Sequence, residues 1–204
     1  MRLFAAVYPP PSAREHLAAL VRRLAVGQPA APGSSLRLVP PEQWHLTLVF
    51  LGELADERCG AAAEAVARGV SSIAAPTLRI AGGGRFGRGA STVLWAGVDG
   101  DVAGFGALAG AVRTQLRRAR LPHDRKPQRP HLTLARPGDR LPGEATGADL
   151  CRLGEYTGPW WPVEAVRLVR SQLGPRPGHT TIGSWEPGGP AVPPAKDPGV
   201  VEDP

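Results

Sequence analysis

The chain has 204 residues, 42% of them hydrophobic, which is enough apolar material for one globular domain or for two small lobes that share a core. Its net charge of +6 suits a protein that binds phosphates or nucleic acid, although arginine enrichment through base composition explains the value equally well. The two cysteines are far apart, which argues against a zinc site, and the apolar start of only eight residues argues against a secretory leader and a membrane span. We therefore expect a cytoplasmic protein with reduced thiols, and we expect it to be a monomer.

Apolar periodicity predicts seven strands and four helices, which alternate except for strand pairs after the second and fourth helices. The predicted strands cover residues 2–8, 44–51, 77–81, 92–98, 131–136, 163–171 and 180–185, and the predicted helices cover 12–24, 56–73, 105–116 and 142–153. Ser12 and Glu15 match a capping box at the start of the first helix. The glycines at 82–84 are predicted to lie in a hairpin loop. We expect one bilobal domain over residues 1–186, followed by a disordered, proline-rich tail over 187–204.

One tetrapeptide, His-Leu-Thr-Leu, occurs at residues 45–48 and again at 131–134, 86 residues later. Each copy follows a proline-containing loop and lies on a predicted strand, and each comes after a strand–helix unit. The repetition therefore predicts two related lobes, each carrying one copy of the motif.

The repeated motif brings together side chains that can act on a phosphodiester. Alternation along a strand puts the histidine and threonine of each copy on one face, and its two leucines on the other face in a core. If the two strands lie side by side about a pseudo-twofold axis, His45, Thr47, His131 and Thr133 converge on one cleft. Imidazole titrates near neutral pH, so one ring can take a proton from water while the other gives a proton to a departing ribose oxygen. The threonine hydroxyls can donate to the phosphate oxygens.

Four segments resemble a known family: residues 1–17 (MRLFAAVYPPPSAREHL), 39–54 (VPPEQWHLTLVFLGEL), 93–98 (VLWAGV) and 129–136 (RPHLTLAR). They closely resemble the RNA 2′,3′-cyclic phosphodiesterases, formerly called 2′-5′ RNA ligases, of the 2H phosphoesterase superfamily. The resemblance implies an α+β fold of two pseudo-symmetric lobes, each an antiparallel sheet with helices packed outside, and an active-site cleft between them. It also implies hydrolysis of 2′,3′-cyclic phosphates at RNA or nucleotide ends to 2′-phosphomonoesters, without a metal or a cofactor.

The two motif histidines are expected to have different roles, because in-line attack places the base and the acid on opposite sides of phosphorus. We assign His131 as the general base and His45 as the general acid, although the pseudo-symmetry also allows the reverse assignment. The same groups would catalyse weak 2′-5′ RNA joining by microscopic reversibility.

Basic residues around the second motif are candidates for binding the substrate phosphate or the RNA backbone, since arginine forks match phosphate oxygens. The candidates are Arg129, Lys126 and Arg136. Arg129 is the first choice, because its spacing matches a basic position in the family that the chain resembles. A solvated basic loop is the alternative for each of the three.

Other conspicuous residues favour structural roles, including His16, His123 and His179, which lie outside the repeat. Trp44 is predicted to pack in the core, and the tryptophans at 160 and 161 to pack at an edge. The chain departs from the family at two positions. It has Gln128 where relatives commonly have an aromatic residue, and His179 where they often have tyrosine.

Two other classes of function compete with a metal-free enzyme. A non-catalytic RNA- or nucleotide-binding module would keep the basic cleft, but the histidines intact in both copies argue against it. A metallohydrolase needs three protein ligands, and neither motif has a second histidine or a carboxylate at ligand spacing.

Overall fold

The computed structural model describes residues 1–29, 36–125, 129–172 and 178–188. Its strands are β1 (Arg2–Val7), β2 (Leu46–Glu53), β3 (Thr77–Phe86), β4 (Val93–Gly100), β5 (Leu132–Ala135), β6 (Thr157–Pro162), β7 (Val166–Gln172) and β8 (Gly178–Trp185). Its helices are α1 (Pro11–Val21), α2 (Cys59–Val70), α3 (Val102–Arg118) and α4 (Gly143–Gly154), with four short 3₁₀ turns besides. The predicted tail lies outside these ranges beyond residue 188. None of the helices within the described ranges is long and apolar enough to cross a membrane.

The strands form two four-stranded sheets, ordered β2-β1-β7-β8 in the first lobe and β5-β4-β3-β6 in the second. All neighbouring strands are antiparallel. The predicted α+β fold with an antiparallel sheet in each lobe is therefore confirmed. The last two strands, β7 and β8, return to the first lobe beside β1, so the first lobe is built from both ends of the described chain.

The motif strands β2 and β5 are edge strands of separate sheets, and each edge is covered by another segment of the chain. On β2, the carbonyl of Leu48 accepts from the Arg113 guanidinium of α3, and the carbonyl of Phe50 accepts from the backbone N–H of Asp124. On β5, residues 37–39, which lead into the first motif, bond through their backbone to Leu134 and Arg136. These bonds satisfy the backbone groups of the edges and fix the two motifs relative to each other.

Alternation along the motif strands places their leucines in the hydrophobic core, as predicted. Leu46 and Leu132 are fully buried, as are Leu48 and Leu134 two residues further along each strand. Trp44 is also buried, and its indole Nε1 donates to the carbonyl of Val39, so its predicted packing role is confirmed. Because the leucines are in the core, the opposite face of each motif strand is directed toward the cleft.

The strand β6 is an element that the sequence pattern does not predict. Its six residues, TGPWWP, contain two prolines, which usually interrupt a strand. The strand forms because it lies at the edge of the second sheet, paired only with β3, where a proline does not remove a bond from a second neighbour. The tryptophans at 160 and 161 therefore pack in a sheet edge rather than in an irregular segment.

Two further local predictions are wrong. The first helix begins at Pro11 with Pro10 as its N-cap, and no side chain caps it, so Ser12 and Glu15 do not form a capping box. The glycines at 82–84 lie inside β3, not in a hairpin loop. Within this strand Gly84 has no room for a side chain, because a Cβ there would lie 2.4 Å from the indole ring of Trp95.

The contact between α2 and α3 depends on one glycine. A Cβ at Gly69 would lie 2.6 Å from the backbone Cα of Val112, so neither helix can accommodate it without moving. We expect Gly69→Ala to lower the free energy of unfolding by about 1–3 kcal/mol, measured by denaturant titration. Gly110→Ala in α3 is the matched control, since a Cβ there meets nothing within 4 Å, and it should raise stability by up to about 1 kcal/mol. Equal effects of the two variants would contradict this packing.

Candidate active site

The first motif histidine, His45, precedes β2 and is half-buried on the inner face of the first sheet. Its Nδ1 lies 2.7 Å from the backbone carbonyl oxygen of Gln43. Three rings surround the imidazole: Phe4 at 4.9 Å, His179 at 5.1 Å and Tyr8 at 5.5 Å between ring centroids. The ring is thus held by one hydrogen bond and by aromatic packing on several sides.

The second motif histidine, His131, precedes β5 in the same way. Its Nδ1 lies 2.8 Å from the backbone carbonyl oxygen of Arg129. Phe86 meets the imidazole edge to face at 4.8 Å, and Trp95 lies at 6.2 Å. The structure therefore repeats in the second lobe the arrangement around His45.

The two histidines share one tautomer, because each Nδ1 faces a carbonyl oxygen two residues earlier. A carbonyl oxygen can only accept a hydrogen bond, so each Nδ1 carries the proton and donates it. The Nε2 atom of each neutral ring is then left as a proton acceptor, and it becomes a proton donor when the ring is charged. Acid–base catalysis by either ring is therefore possible through Nε2.

Thr47 and Thr133 follow the histidines by two residues and are half-buried, whereas the leucines beside them are fully buried. Strand alternation puts each hydroxyl on the same side as its histidine. Thr47 also lines a cavity of about 380 Å³ that extends along α3 to Pro130, the residue before His131. The lining of this cavity therefore includes residues of the first motif and the residue before the second motif.

Burial lowers the pKa of His45 from 6.5 to about 4, because the surrounding rings remove water that would stabilise the charged form. The bond to the Gln43 carbonyl opposes this shift, and the charges of His179 and His131 add to it. Both imidazoles therefore lie close enough to His45 for their charges to affect it. Without a bound anion, His45 is neutral at pH 7.

Two residues of this cleft, His179 and Tyr8, escape the sequence prediction. His179 on β8 lies beside Phe4 at 5.1 Å as well as beside His45, and its Nδ1 is 3.4 Å from the Tyr8 hydroxyl oxygen. Burial lowers its pKa. The structure thus places His179 beside the first motif, and its predicted structural role stays a prediction.

The other two histidines outside the repeat make structural contacts, as predicted. The Nδ1 of His16 lies 2.9 Å from the Tyr156 hydroxyl oxygen, where α1 meets β6, and the Nδ1 of His123 lies 3.0 Å from the Leu121 carbonyl oxygen. Neither residue contacts the motif histidines.

Of the three predicted basic residues, the structure places only Arg129 beside the site. Its guanidinium Cζ lies 4.8 Å above the ring of Trp95, which borders His131, and its charge has no carboxylate partner among the described residues. Arg136 follows the far end of β5, about 16 Å from His131 along an extended chain. Lys126 and Gln128 lie outside the described residues.

A search of the described ranges finds no group of three or more His, Cys, Asp and Glu side chains that could hold a metal ion. The polar groups that surround the cleft are instead imidazoles, hydroxyls and guanidinium groups. These groups suit the binding of an anion and the transfer of protons.

The two lobes with their paired motifs are typical of a two-lobed phosphoesterase. Comparison with known proteins supports the same class. The sequence model of the 2′-5′ RNA ligase superfamily matches residues 8–175. A curated RNA 2′,3′-cyclic phosphodiesterase from Thermus thermophilus is 34% identical over 193 residues, which cover 89% of this chain and 88% of the relative. The chain therefore belongs to the 2′-5′ RNA ligase superfamily, and the family and enzyme class predicted from the sequence are confirmed.

Solved structures share the fold. The crystal structure of TT0787 from Thermus thermophilus has a TM-score of 0.69 and 34% identity, covering 91% of this chain and 97% of that one. The structure of E. coli LigT complexed with ATP has a TM-score of 0.67 and 25% identity, covering 92% of this chain and 98% of that one. Both similarities span the two lobes.

The surroundings of His45 lead to a prediction about its protonation. Replacing His179 with alanine removes one of the rings that exclude water, so the pKa of His45 should rise from about 4 toward 6.5. His179→Phe keeps a ring without a charge, and the pKa of His45 should remain low. Titration of the imidazole signals by NMR measures both values. An equal pKa of His45 in the two variants would contradict the conclusion that burial among aromatic rings lowers this pKa.

Proposed function

We propose that the protein opens 2′,3′-cyclic phosphates at RNA or nucleotide ends and releases 2′-phosphomonoesters, using His45 and His131 as an acid–base pair. The observation that carries the proposal is the shared tautomer of the two imidazoles, in which Nδ1 donates to a backbone carbonyl and Nε2 is left for proton transfer. Membership of the family and the name of the curated relative support the same substrate class. The crystal structure of E. coli LigT complexed with ATP shows that a protein of this fold binds a nucleotide, which is consistent with the proposal.

The proposed reaction is an in-line attack of water on phosphorus. The Nε2 of His131 accepts a proton from the water as its oxygen forms the new bond to phosphorus. The bond from phosphorus to the ribose 3′ oxygen breaks, and the protonated Nε2 of His45 gives its proton to that oxygen. Thr47 and Thr133 donate hydrogen bonds to the non-bridging oxygens, where negative charge increases. The product carries the phosphate on the 2′ oxygen.

The acid role of His45 requires a change of its pKa when substrate binds, because the unliganded ring is neutral at pH 7. A phosphodiester anion beside Nε2 stabilises the charged imidazolium and so raises the pKa. The bond from Nδ1 to the Gln43 carbonyl acts in the same direction. Substrate binding and protonation of His45 are therefore coupled in this mechanism.

The structure supports the three proposed substrate-binding residues to different degrees. Arg129 lies within the second motif's surroundings, and no carboxylate of the described residues pairs with its guanidinium group, which suits contact with the cyclic phosphate. Lys126 and Arg136 stay proposals for the RNA backbone further from phosphorus. The same catalytic groups would support weak 2′-5′ joining in reverse.

The proposal is tested by incubating purified protein with an RNA that ends in a 2′,3′-cyclic phosphate and by mapping the product. We expect a 2′-monophosphate as the sole product. A 3′-monophosphate would reverse the assignment of the leaving oxygen. Binding of the RNA without turnover would leave only the non-catalytic RNA-binding alternative.

The same assay tests whether the reaction depends on a metal. All four proposed catalytic groups are imidazoles and hydroxyls, so we expect the rate in excess EDTA to stay within about twofold of the rate without it. Pre-treatment and assay in the chelator provide the measurement. Loss of activity that zinc or manganese restores would contradict the two-histidine mechanism.

A further inference from the structure

A second arginine lies close to the first motif, and no step of the proposed reaction uses it. Arg167 is on β7, where it pairs with Ala6 of β1, and its guanidinium Cζ lies 5.0 Å above the ring of Tyr8. Its side chain is exposed, and it has no ion pair or hydrogen-bond partner among the described residues. An arginine held over an aromatic ring with no carboxylate keeps its charge and its donors available for an anion.

Tyr8 connects this arginine to the catalytic cleft. Its ring is 5.5 Å from that of His45, and its hydroxyl oxygen is 3.4 Å from Nδ1 of His179. Burial raises the pKa of Tyr8 to about 12, so the phenol keeps its proton and can donate a hydrogen bond at neutral pH. A guanidinium, a phenol and an imidazole thus lie together on one side of His45.

The second lobe has a similar pair, Arg129 over Trp95 beside His131. The cyclic phosphate carries a single negative charge, and Arg129 is the arginine beside the proposed base. Arg167 is separated from His45 by the ring of Tyr8, so its charge has no anionic partner when that phosphate is bound. A substrate with a second phosphate would match it.

We propose that Arg167, Tyr8 and His179 form a subsite for a second phosphate, the one on the 5′ side of the nucleoside that carries the cyclic phosphate. That phosphate is a diester in an RNA chain and a monoester in a 5′-phosphorylated cyclic mononucleotide. The inference rests on the proposed function and deepens it, because it makes a substrate with two phosphates better than an unsubstituted cyclic mononucleotide.

The test compares three substrates: adenosine 2′,3′-cyclic phosphate, its 5′-phosphorylated form, and the dinucleotide ApA with a terminal 2′,3′-cyclic phosphate. We expect Arg167→Gln to lower kcat/KM at least tenfold on the two substrates with a second phosphate, chiefly through KM. Its effect on the unsubstituted substrate should be no more than two- to threefold. Arg167→Lys should recover part of the loss, since it restores the charge but not the fork.

Arg170→Gln is the matched control, because Arg170 lies three residues further along β7 and strand alternation directs it to the other face of the sheet. This variant should match the wild type on all three substrates. A loss on the dinucleotide alone would show that the subsite takes the RNA chain and not a terminal phosphate. Equal losses by Arg167→Gln on all three substrates, or no loss on any, would overturn the subsite.

Failure of the subsite can be distinguished from failure of the proposed function. If the wild type turns over none of the three substrates, the proposed function fails. Calorimetric binding of the same compounds then tests the subsite by itself. Tighter binding of the 5′-phosphorylated compound that Arg167→Gln abolishes would support it, and identical affinities in both proteins would overturn it.

Discussion

Replacing His131 with alanine should slow the opening of a 2′,3′-cyclic phosphate by roughly 10²–10⁴-fold, and replacing His45 should do the same. In each imidazole Nδ1 donates to a backbone carbonyl, so Nε2 is the atom available for proton transfer. Without the base, water must attack unassisted, and without the acid, a ribose alkoxide must leave. Single-turnover rates on an RNA with a terminal cyclic phosphate measure both losses.

His16→Ala provides the control for these variants, because His16 bonds to Tyr156 away from the cleft. This variant should keep the wild-type rate, apart from the effect of any loss of folded protein. Circular dichroism checks that all the variants are folded. A loss of less than tenfold in either motif variant would contradict a direct proton transfer by that histidine.

The second large effect concerns the division of roles between the two histidines. A sulfur in place of the departing 3′ oxygen leaves readily without a proton, whereas the attacking water needs the base with either substrate. His45→Ala should therefore lose several orders of magnitude on the natural cyclic phosphate but recover much of that loss on the 3′-thio analogue. His131→Ala should stay slow on both substrates. The ratio of rates on the two substrates is the quantity to measure.

The opposite assignment, with His45 as the base, also has a structural basis, so the comparison of the two substrates decides between the two assignments. The pKa of His45 is lowered to about 4 in the unliganded protein, and a neutral imidazole is the form that a general base requires. Rescue of His131→Ala by sulfur would make His45 the base and His131 the acid. Rescue of neither variant would contradict proton transfer to the leaving group by either histidine.

The repeat in the sequence was sufficient to predict the motif strands and the faces of their side chains. His-Leu-Thr-Leu has the two-residue period of a half-buried strand, and Leu46 and Leu132 are indeed in the core. It did not predict that β2 and β5 are the edges of their sheets, or that Arg113 covers the edge of β2 and residues 37–39 the edge of β5. Those contacts are between residues far apart in the chain, and local periodicity contains no information about them.

The rings around the histidines were missed for the same reason. Tyr8, Trp95 and His179 come from three different parts of the chain, and the sequence places the first two in predicted strands and His179 just before one. Only the sheet order brings Tyr8 and His179 beside His45, and Trp95 beside His131. The glycines of β3 indicate a turn when the sequence is considered locally, because the Trp95 indole that leaves no room for a side chain at Gly84 is on the neighbouring strand.

The proposed mechanism requires that His45 and His131 both keep a proton on Nδ1 and that both act on one phosphate through Nε2. Long-range ¹H–¹⁵N NMR of the imidazole nitrogens, recorded at a pH where the rings are neutral, measures the tautomers of His45 and His131. We expect the proton on Nδ1 in both rings, and we expect both Nε2 signals to shift when a 2′-nucleotide product is added. A proton on Nε2 in either neutral ring, or a response to the product from only one of the two, would contradict the account.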